Sequence, residues 1–403
     1  MVVLNMKRIA FVTPWFGEKI PGGAEMELRG IANHIADTQD IEVEILTTTV
    51  KEFLSDWSID YYKVGSEKIG NLTVRRFKVR KRDTKTFDAV NYKLMHNEAI
   101  TVEEENIYLK EMVNSTQLYS YIRNHKDEYD LFIFIPYMFG TTYYGSLQCL
   151  DKAILIPCFH DESYIYINKY KSAFENVAGM IYHATPEYKL ANRVFDFKGT
   201  TQAVLGEGVD TDFEFNADNF RKKFNIDSPF ILYAGRKDKG KQVDLLLEYF
   251  EKYKSNHKGD LKLVLIGGGQ IDIPRKVKDD VIDLGFVDIQ DKYDAYAAAL
   301  CTCQPSSHES FSLVIMESWL AERPVIVNED CNVTADFAKK TGAGLYFANY
   351  NDFEGAVNYY LEHEDVAKEM GKAGREYVIE NFSWPQIVKK YVEFFEKVIE
   401  EHD

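Results

Sequence analysis

Short apolar, β-branched runs alternate along this chain with longer segments whose apolar residues recur every three or four positions. The short runs are bounded by glycine, proline or acidic turns and read as buried strands. Residues 8–13, 42–48, 72–79, 131–135, 153–157, 180–183 and 202–205 form one series. Residues 230–235, 261–266, 281–284, 301–304, 324–327 and 344–347 form a second. Between them lie helical patterns such as Leu28, Ile31, Ala32 and Ile35. This alternation predicts parallel sheets covered by helices, the α/β class. Each series predicts one Rossmann-like domain, and Gly206-Glu207-Gly208-Val209-Asp210 between them predicts the hinge. A final segment lines up Ile387, Val388, Tyr391, Phe394, Phe395 and Val398 as the single apolar stripe of a terminal helix.

Composition supports two domains: 403 residues exceed one ordinary core. A formal net charge of −16 argues against a nucleic-acid partner. The acidity is uneven, with 24 basic and 27 acidic residues in 1–200 against 24 and 37 in 201–403. One run from Arg75 to Arg82 is strongly basic. It reads either as a solvated edge strand or as a patch for peripheral contact with an anionic membrane surface or a phosphate-linked acceptor. No apolar stretch has membrane-spanning length, and the first residues lack the marks of a signal peptide, with Met6 a possible start. Five cysteines without a Cys-x-x-Cys suggest a reduced, cytoplasmic chain, with Cys301 and Cys303 packing on one strand face.

The richest chemistry lies in His308-Glu309-Ser310-Phe311-Ser312 and the following Leu313, Val314 and Glu317. A strand ending at Gln304 and a helix opening near Ser310 would put Glu309 at a strand's carboxyl end. The amides of Ser312, Leu313 and Val314 would then lie at a helix N-terminus able to hold phosphate. Glu317 lies roughly two turns on, facing back. Spacing alone leaves two readings open: a nucleotide-sugar site, or an amphipathic helix with a cap and one solvated glutamate. Gly235-Arg236, with Lys241 five residues on, can clamp a diphosphate or be a solvated basic loop, with Lys237 and Lys239 facing solvent. Pro21-Gly22-Gly23 opens a helix where an anion can approach, or is a plain tight turn. His160 follows the strand 153–157, the usual place of a site in an open α/β sheet, and Phe139-Gly140-Thr141-Thr142 is a further loop candidate. Asp210-Thr211-Asp212 fits a metal-binding Asp-x-Asp, but its place in the hinge favours Asp210 capping a turn or short helix. No His/Cys cluster has zinc spacing, and no Gly-x-Ser-x-Gly elbow occurs.

The stretch 299–327 resembles the donor signature of the retaining glycosyltransferases of family 4, Pro-Ser-x-x-Glu-Gly-Phe-Gly-Leu-Val-x-x-Glu-Ala. The chain departs from it with Ser310 and Ser312 at the glycine positions. Gly235, Arg236, Lys241 and Asp244 match a second family pattern, with Gln242 at its second glycine. The similarity runs from the Gly-Gly loop to Phe382-Ser383-Trp384. It implies the GT-B fold, two facing Rossmann-like domains with a C-terminal helix crossing back to the first. The expected domains are residues 1–205 with 382–403, on the acceptor side, and 206–381, on the donor side. It further implies a retaining, metal-independent transfer from a nucleoside-diphosphate sugar to a saccharide, lipid-linked or small-molecule hydroxyl, by front-face attack, in the setting of polysaccharide biosynthesis. Glu309 and His160 would contact the transferred sugar, Arg236 and Lys241 the diphosphate, and Glu317 the ribose. Gly22, Gly23, Gly235, Ser312, Leu313 and Val314 would complete the donor site. No cofactor is expected. Rivals within the fold are a sugar-phosphate synthase and a catalytically silent, partner-binding subunit.

Overall fold

The computed structural model describes residues 8–20, 22–38 and 40–402. The alternative start at Met6 and Pro21 of the glycine loop lie outside the described residues. The chain divides into two compact units, residues 1–208 with 384–403 and residues 209–383.

The amino-terminal unit holds strands β1 (Arg8–Val12), β2 (Glu42–Thr48), β3 (Gly65–Ile69), β4 (Leu72–Phe77), β5 (Leu131–Phe134), β6 (Ala153–Leu155), β7 (Gly179–Tyr182) and β8 (Thr201–Val204). They form one sheet in the order β3-β4-β2-β1-β5-β6-β7-β8, parallel except for β3. Ile9, Phe11, Ile133 and Ile154 are fully buried, as both-faced parallel strands require. The second unit holds β9 (Phe230–Ala234), β10 (Lys262–Ile266), β11 (Val281–Gly285), β12 (Cys301–Gln304), β13 (Val325–Asn328) and β14 (Gly344–Phe347). Its order, β11-β10-β9-β12-β13-β14, is that of a doubly wound nucleotide-binding sheet, and the chain reverses direction between β9 and β12.

Every strand expected from the pattern is present, within two residues at its ends. β3 is an addition. Its sequence, Gly-Ser-Glu-Lys-Ile, is almost wholly exposed and pairs antiparallel with β4, so no apolar run announces it. β4 is therefore an inner strand, and the basic run is not a solvated edge. Arg75 pairs with Glu44, Arg76 with Glu67 and Arg80 with Glu111, each at 2.7 Å. Arg82 lies 4.2 Å from the Phe87 ring centre and 4.6 Å from that of Trp57. Four of its cations thus have partners within the unit, while Lys78 and Lys81 are exposed.

The crossings between units come at Gly208/Val209 and Ser383/Trp384. Val209 pairs there with Ser383 and its N–H donates to Phe382 O at 2.8 Å. The terminal helix, Trp384–His402, buries Ile387, Tyr391, Phe394, Phe395 and Val398 in the amino-terminal unit, with Val388 half-buried. No helix begins at Asp210; the next, Ala217–Phe224, is capped by Asn216. No described helix is long and apolar enough to cross a membrane.

Candidate functional site

The carboxyl ends of β9, β10 and β11 are joined backbone to backbone. Gly235 N–H donates to Ile266 O at 2.9 Å, Gly267 N–H to Gly285 O at 2.8 Å and Lys237 N–H to Gly268 O at 2.7 Å. Gly267 has a φ of 123°, and a Cβ there would lie 2.0 Å from Gly235 O, so only glycine permits this approach. The loop then turns Arg236 and Lys237 apart. Arg236 is 72% exposed, its guanidinium 3.6 Å from Asp238. Lys237 is 1% exposed and pairs with Asp283 of β11 at 2.6 Å. The expectation that Lys237 faces solvent is corrected: its amide is fixed to the β10 loop, which directs its side chain inward along β11. Lys239 is exposed.

Lys241 closes a short 3-10 turn, Lys239–Lys241, capped by Asp238. Its ammonium reaches Glu309 at 2.6 Å. One residue comes from the loop after β9 and the other from the loop after β12, so the contact spans the point where strand order reverses. Ligands of open α/β sheets bind at such a point. Gln304 Nε2, at the end of β12, donates to the same Glu309 oxygen at 3.2 Å. The Gln304 side chain is buried, yet its Oε1 has no partner. Buried polar atoms are rarely left so.

The helix beyond Glu309 is Leu313–Leu320, starting slightly later than expected. Its N-cap, Ser312, sits in left-handed backbone at φ 79°, ψ 81°, which explains a family preference for glycine there. The Ser312 hydroxyl does not cap the helix, so the first-turn N–H groups are not satisfied by their own N-cap. Phe311, packed edge-on against Phe337 and Phe382, anchors the approach. Gln242, at the other glycine position, is also left-handed (φ 52°). Its amide bonds Ser307 and Asn328, each at 3.0 Å. Glu317 is nearly buried and holds two partners on the helix Ile289–Ala298: Lys292 at 2.6 Å and the Tyr296 hydroxyl at 2.8 Å. The sequence pattern missed Gln304, Lys292 and Tyr296. The one signal was Gln304's polarity at the end of an otherwise apolar strand.

Residues 215–377 match the family model Glycosyl transferases group 1. The match takes in most of the carboxyl-terminal unit, so that unit is similar to the donor-side segment of this family. An uncharacterised glycosyltransferase of Methanocaldococcus jannaschii is 23% identical over 256 residues, 60% of this chain and 65% of that one. Trehalose synthase of Thermococcus litoralis is 27% identical over 190 residues, 43% of this chain and 45% of that one. The chain thus spans less than two thirds of either relative. Among solved structures, Anabaena HepE in complex with UDP and glucose superimposes with a TM-score of 0.66 at 13% identity, covering 96% of this chain and 99% of that one. At that identity the likeness establishes the GT-B fold alone.

In the amino-terminal unit, Gly22 precedes the helix Gly23–Asp37 with φ 135°. The helix brings its own acid: the Glu25 carboxylate stands over Gly22, where a Cβ would meet it at 1.9 Å, and accepts from Trp15 Nε1 at 2.7 Å. His160 is partly exposed on the loop after β6, with Nδ1 3.6 Å from Glu162. Asp161 pairs with Arg193 and accepts from the Tyr166 hydroxyl, each at 2.5 Å. Phe139, Gly140, Thr141 and Thr142 are buried, and Gly140 opens the helix Gly140–Ser146. A cavity of about 520 Å³ lies between residues 94–105 and 161–168 of the same unit.

Proposed function

We propose that the protein transfers a sugar from a nucleoside-diphosphate sugar to an acceptor hydroxyl with retention of configuration. The observation that carries this reading is the Lys241–Glu309 contact across the strand-order reversal, beside an uncapped helix N-terminus. Lys241, Arg236 and the amides of Ser312, Leu313 and Val314 stabilise charge on the departing diphosphate, with the Gly235 backbone bringing the clamp close. These are fixed groups of one unit, and they supply the positive charge that a bound cation supplies elsewhere. Glu309 holds hydroxyls of the transferred sugar and Glu317 those of the ribose. From the amino-terminal unit, the family resemblance assigns His160 a contact to the sugar and Gly22 and Gly23 a place near the donor. In the front-face reaction the C1–O bond to the diphosphate breaks and a bond from C1 to the acceptor oxygen forms on the same face. The acceptor proton passes to the leaving phosphate oxygen. The complex of HepE with UDP and glucose supports trying a UDP-sugar first.

The test is a thermal-shift panel of UDP-, GDP-, ADP- and dTDP-sugars, since a ligand that binds the folded state raises apparent stability. Glu309→Gln and Glu317→Gln follow with the sugar that binds. Glu309→Gln should chiefly lower kcat, and Glu317→Gln should weaken binding of the free nucleoside diphosphate. Omitting Mg²⁺ and Mn²⁺ should leave turnover unchanged. If no nucleotide sugar shifts the transition, or if Glu317→Gln binds the nucleotide as wild type does, the assignment is wrong.

A further inference from the structure

Beneath the His160 loop, the amino-terminal unit buries a polar cluster that the transfer reaction does not use. Glu27 comes from the helix Gly23–Asp37, Cys158 from the loop after β6, and His183 from the end of β7. Their ligating atoms all lie within 4.8 Å of one another. His183 Nε2 is 2.6 Å from Glu27 Oε1, and Cys158 Sγ is 3.9 Å from Glu27 Oε2. Glu187 accepts from the backbone N–H groups of Phe159 and His183, each at 2.7 Å, and lies 3.4 Å from His183 Nδ1.

Glu27, Glu187 and Glu207 are all buried, and among the described residues no lysine or arginine pairs with any of the three. An imidazolium at His183 balances only one of them. A thiol, an imidazole and a carboxylate converging in such a place form a borderline-soft donor set. It suits zinc better than magnesium or calcium.

We propose that Glu27, Cys158 and His183 bind one Zn²⁺ ion, which ties the helix Gly23–Asp37 to the loops after β6 and β7. Bonds of about 2.0–2.3 Å put tetrahedral ligand atoms roughly 3.3–3.8 Å apart. The Cys158–Glu27 separation is already near that, and the His183–Glu27 pair opens by about 1 Å as the ion replaces the shared proton. Binding releases the Cys158 thiol proton and the His183 Nε2 proton to solvent, with no change of oxidation state. Glu187 then faces the remaining Nδ1–H, the carboxylate–histidine–zinc arrangement that fixes the tautomer. Cys158 is the one cysteine of the five that is not fully buried. The site belongs to one unit and stands whether or not the proposed transfer does.

The test uses the full chain, freed of any affinity tag and stripped by dialysis against chelator. Zn²⁺ titration followed by gel filtration and elemental analysis should retain one equivalent. Co²⁺ should give a thiolate-to-cobalt charge-transfer band that Cys158→Ser removes, and His183→Gln should weaken Zn²⁺ binding at least about tenfold. Because either variant can fail to fold, the wild type carries a second readout. The other four cysteines are buried. Zn²⁺ should therefore slow alkylation mapped to Cys158 by roughly tenfold or more. Retention of far less than one equivalent, a cobalt spectrum without the thiolate band, or alkylation of Cys158 at equal rates with and without Zn²⁺ would overturn the site. The cluster would then be a metal-free imidazolium–carboxylate triad.

Discussion

Lys241 meets Glu309 at 2.6 Å, so in the proposed reaction the diphosphate would share an ammonium that already neutralises a mostly buried carboxylate. Lys241→Ala removes both functions and leaves Glu309 with Gln304 alone. Arg236 is 72% exposed, and its one ion pair among the described residues is the 3.6 Å contact to Asp238, so it has no such structural duty. Both alanine variants should lose roughly 10²-fold or more in turnover. Only Lys241→Ala should also lose stability, by about 1–3 kcal/mol in urea unfolding. Equal stability losses would mean that the Lys241–Glu309 contact is incidental. Gln304 poses the opposite test. Its orphaned Oε1 costs about 1–3 kcal/mol unless a ligand hydroxyl satisfies it. Gln304→Met keeps the volume and removes the orphan, so it should hold or raise stability while lowering turnover about tenfold. A variant that loses stability and keeps full activity would mark Gln304 as structural. The glutamates and the basic loop were legible from spacing and family pattern. Gln304, Lys292 and the burial of Lys237 were not, because their partners lie on other strands and helices, as Asp283 does for Lys237.

Elements were legible where burial imposes a pattern, and obscure where it does not. The inner strands of both sheets are buried on both faces and read as apolar runs, whereas β3 is polar and exposed and left no trace. The loops after β9 and β12 show a second limit. Gln242 and Ser312 both stand in left-handed backbone, which costs an ordinary residue about 1–2 kcal/mol, yet only structure shows how each is held. Ser312 gives up little by losing its side chain, since its hydroxyl has only a 3.5 Å contact from Gln304. Gln242 makes two 3.0 Å hydrogen bonds that fix its loop to Ser307 and Asn328. Ser312→Gly should therefore leave stability unchanged or raise it by up to about 1 kcal/mol, backbone relief exceeding the added freedom of the unfolded chain. Gln242→Gly should destabilise by about 1–2 kcal/mol, because two hydrogen bonds outweigh the same relief. Denaturant midpoints that move in the same direction for both would show that strain, not tethering, governs these turns.

At the scale of the whole molecule, the family match covers residues 215–377 and stops short of the amino-terminal unit. Donor chemistry is therefore the readable part, since diphosphate and ribose demand the same groups in any such enzyme. Where the chain re-enters the amino-terminal unit, Trp384 is held within that unit. Trp384 stacks on His34 with ring centres 4.1 Å apart. It fills a slot left by two glycines: a Cβ at Gly30 would come within 2.3 Å of its ring and one at Gly208 within 2.2 Å. Neither glycine uses left-handed backbone, so the missing side chain itself is what the site requires. Gly208→Ala should displace Trp384 and destabilise by about 1–3 kcal/mol, the usual cost of overpacking. The terminal helix belongs to the amino-terminal unit, so the damage should be local. Hydrogen exchange should quicken in residues 384–402 and in the helix Gly23–Asp37, while β9, β12 and the helix Leu313–Leu320 keep wild-type protection. Affinity for a free nucleoside diphosphate, measured by calorimetry, should change little, because Arg236, Lys241, the helix amides and Glu317 lie in the other unit and Gly22 and Gly23 are assigned only a place near the donor. Loss of protection spread equally over both units would show that they unfold as a single cooperative body, and that Trp384 holds the whole chain together.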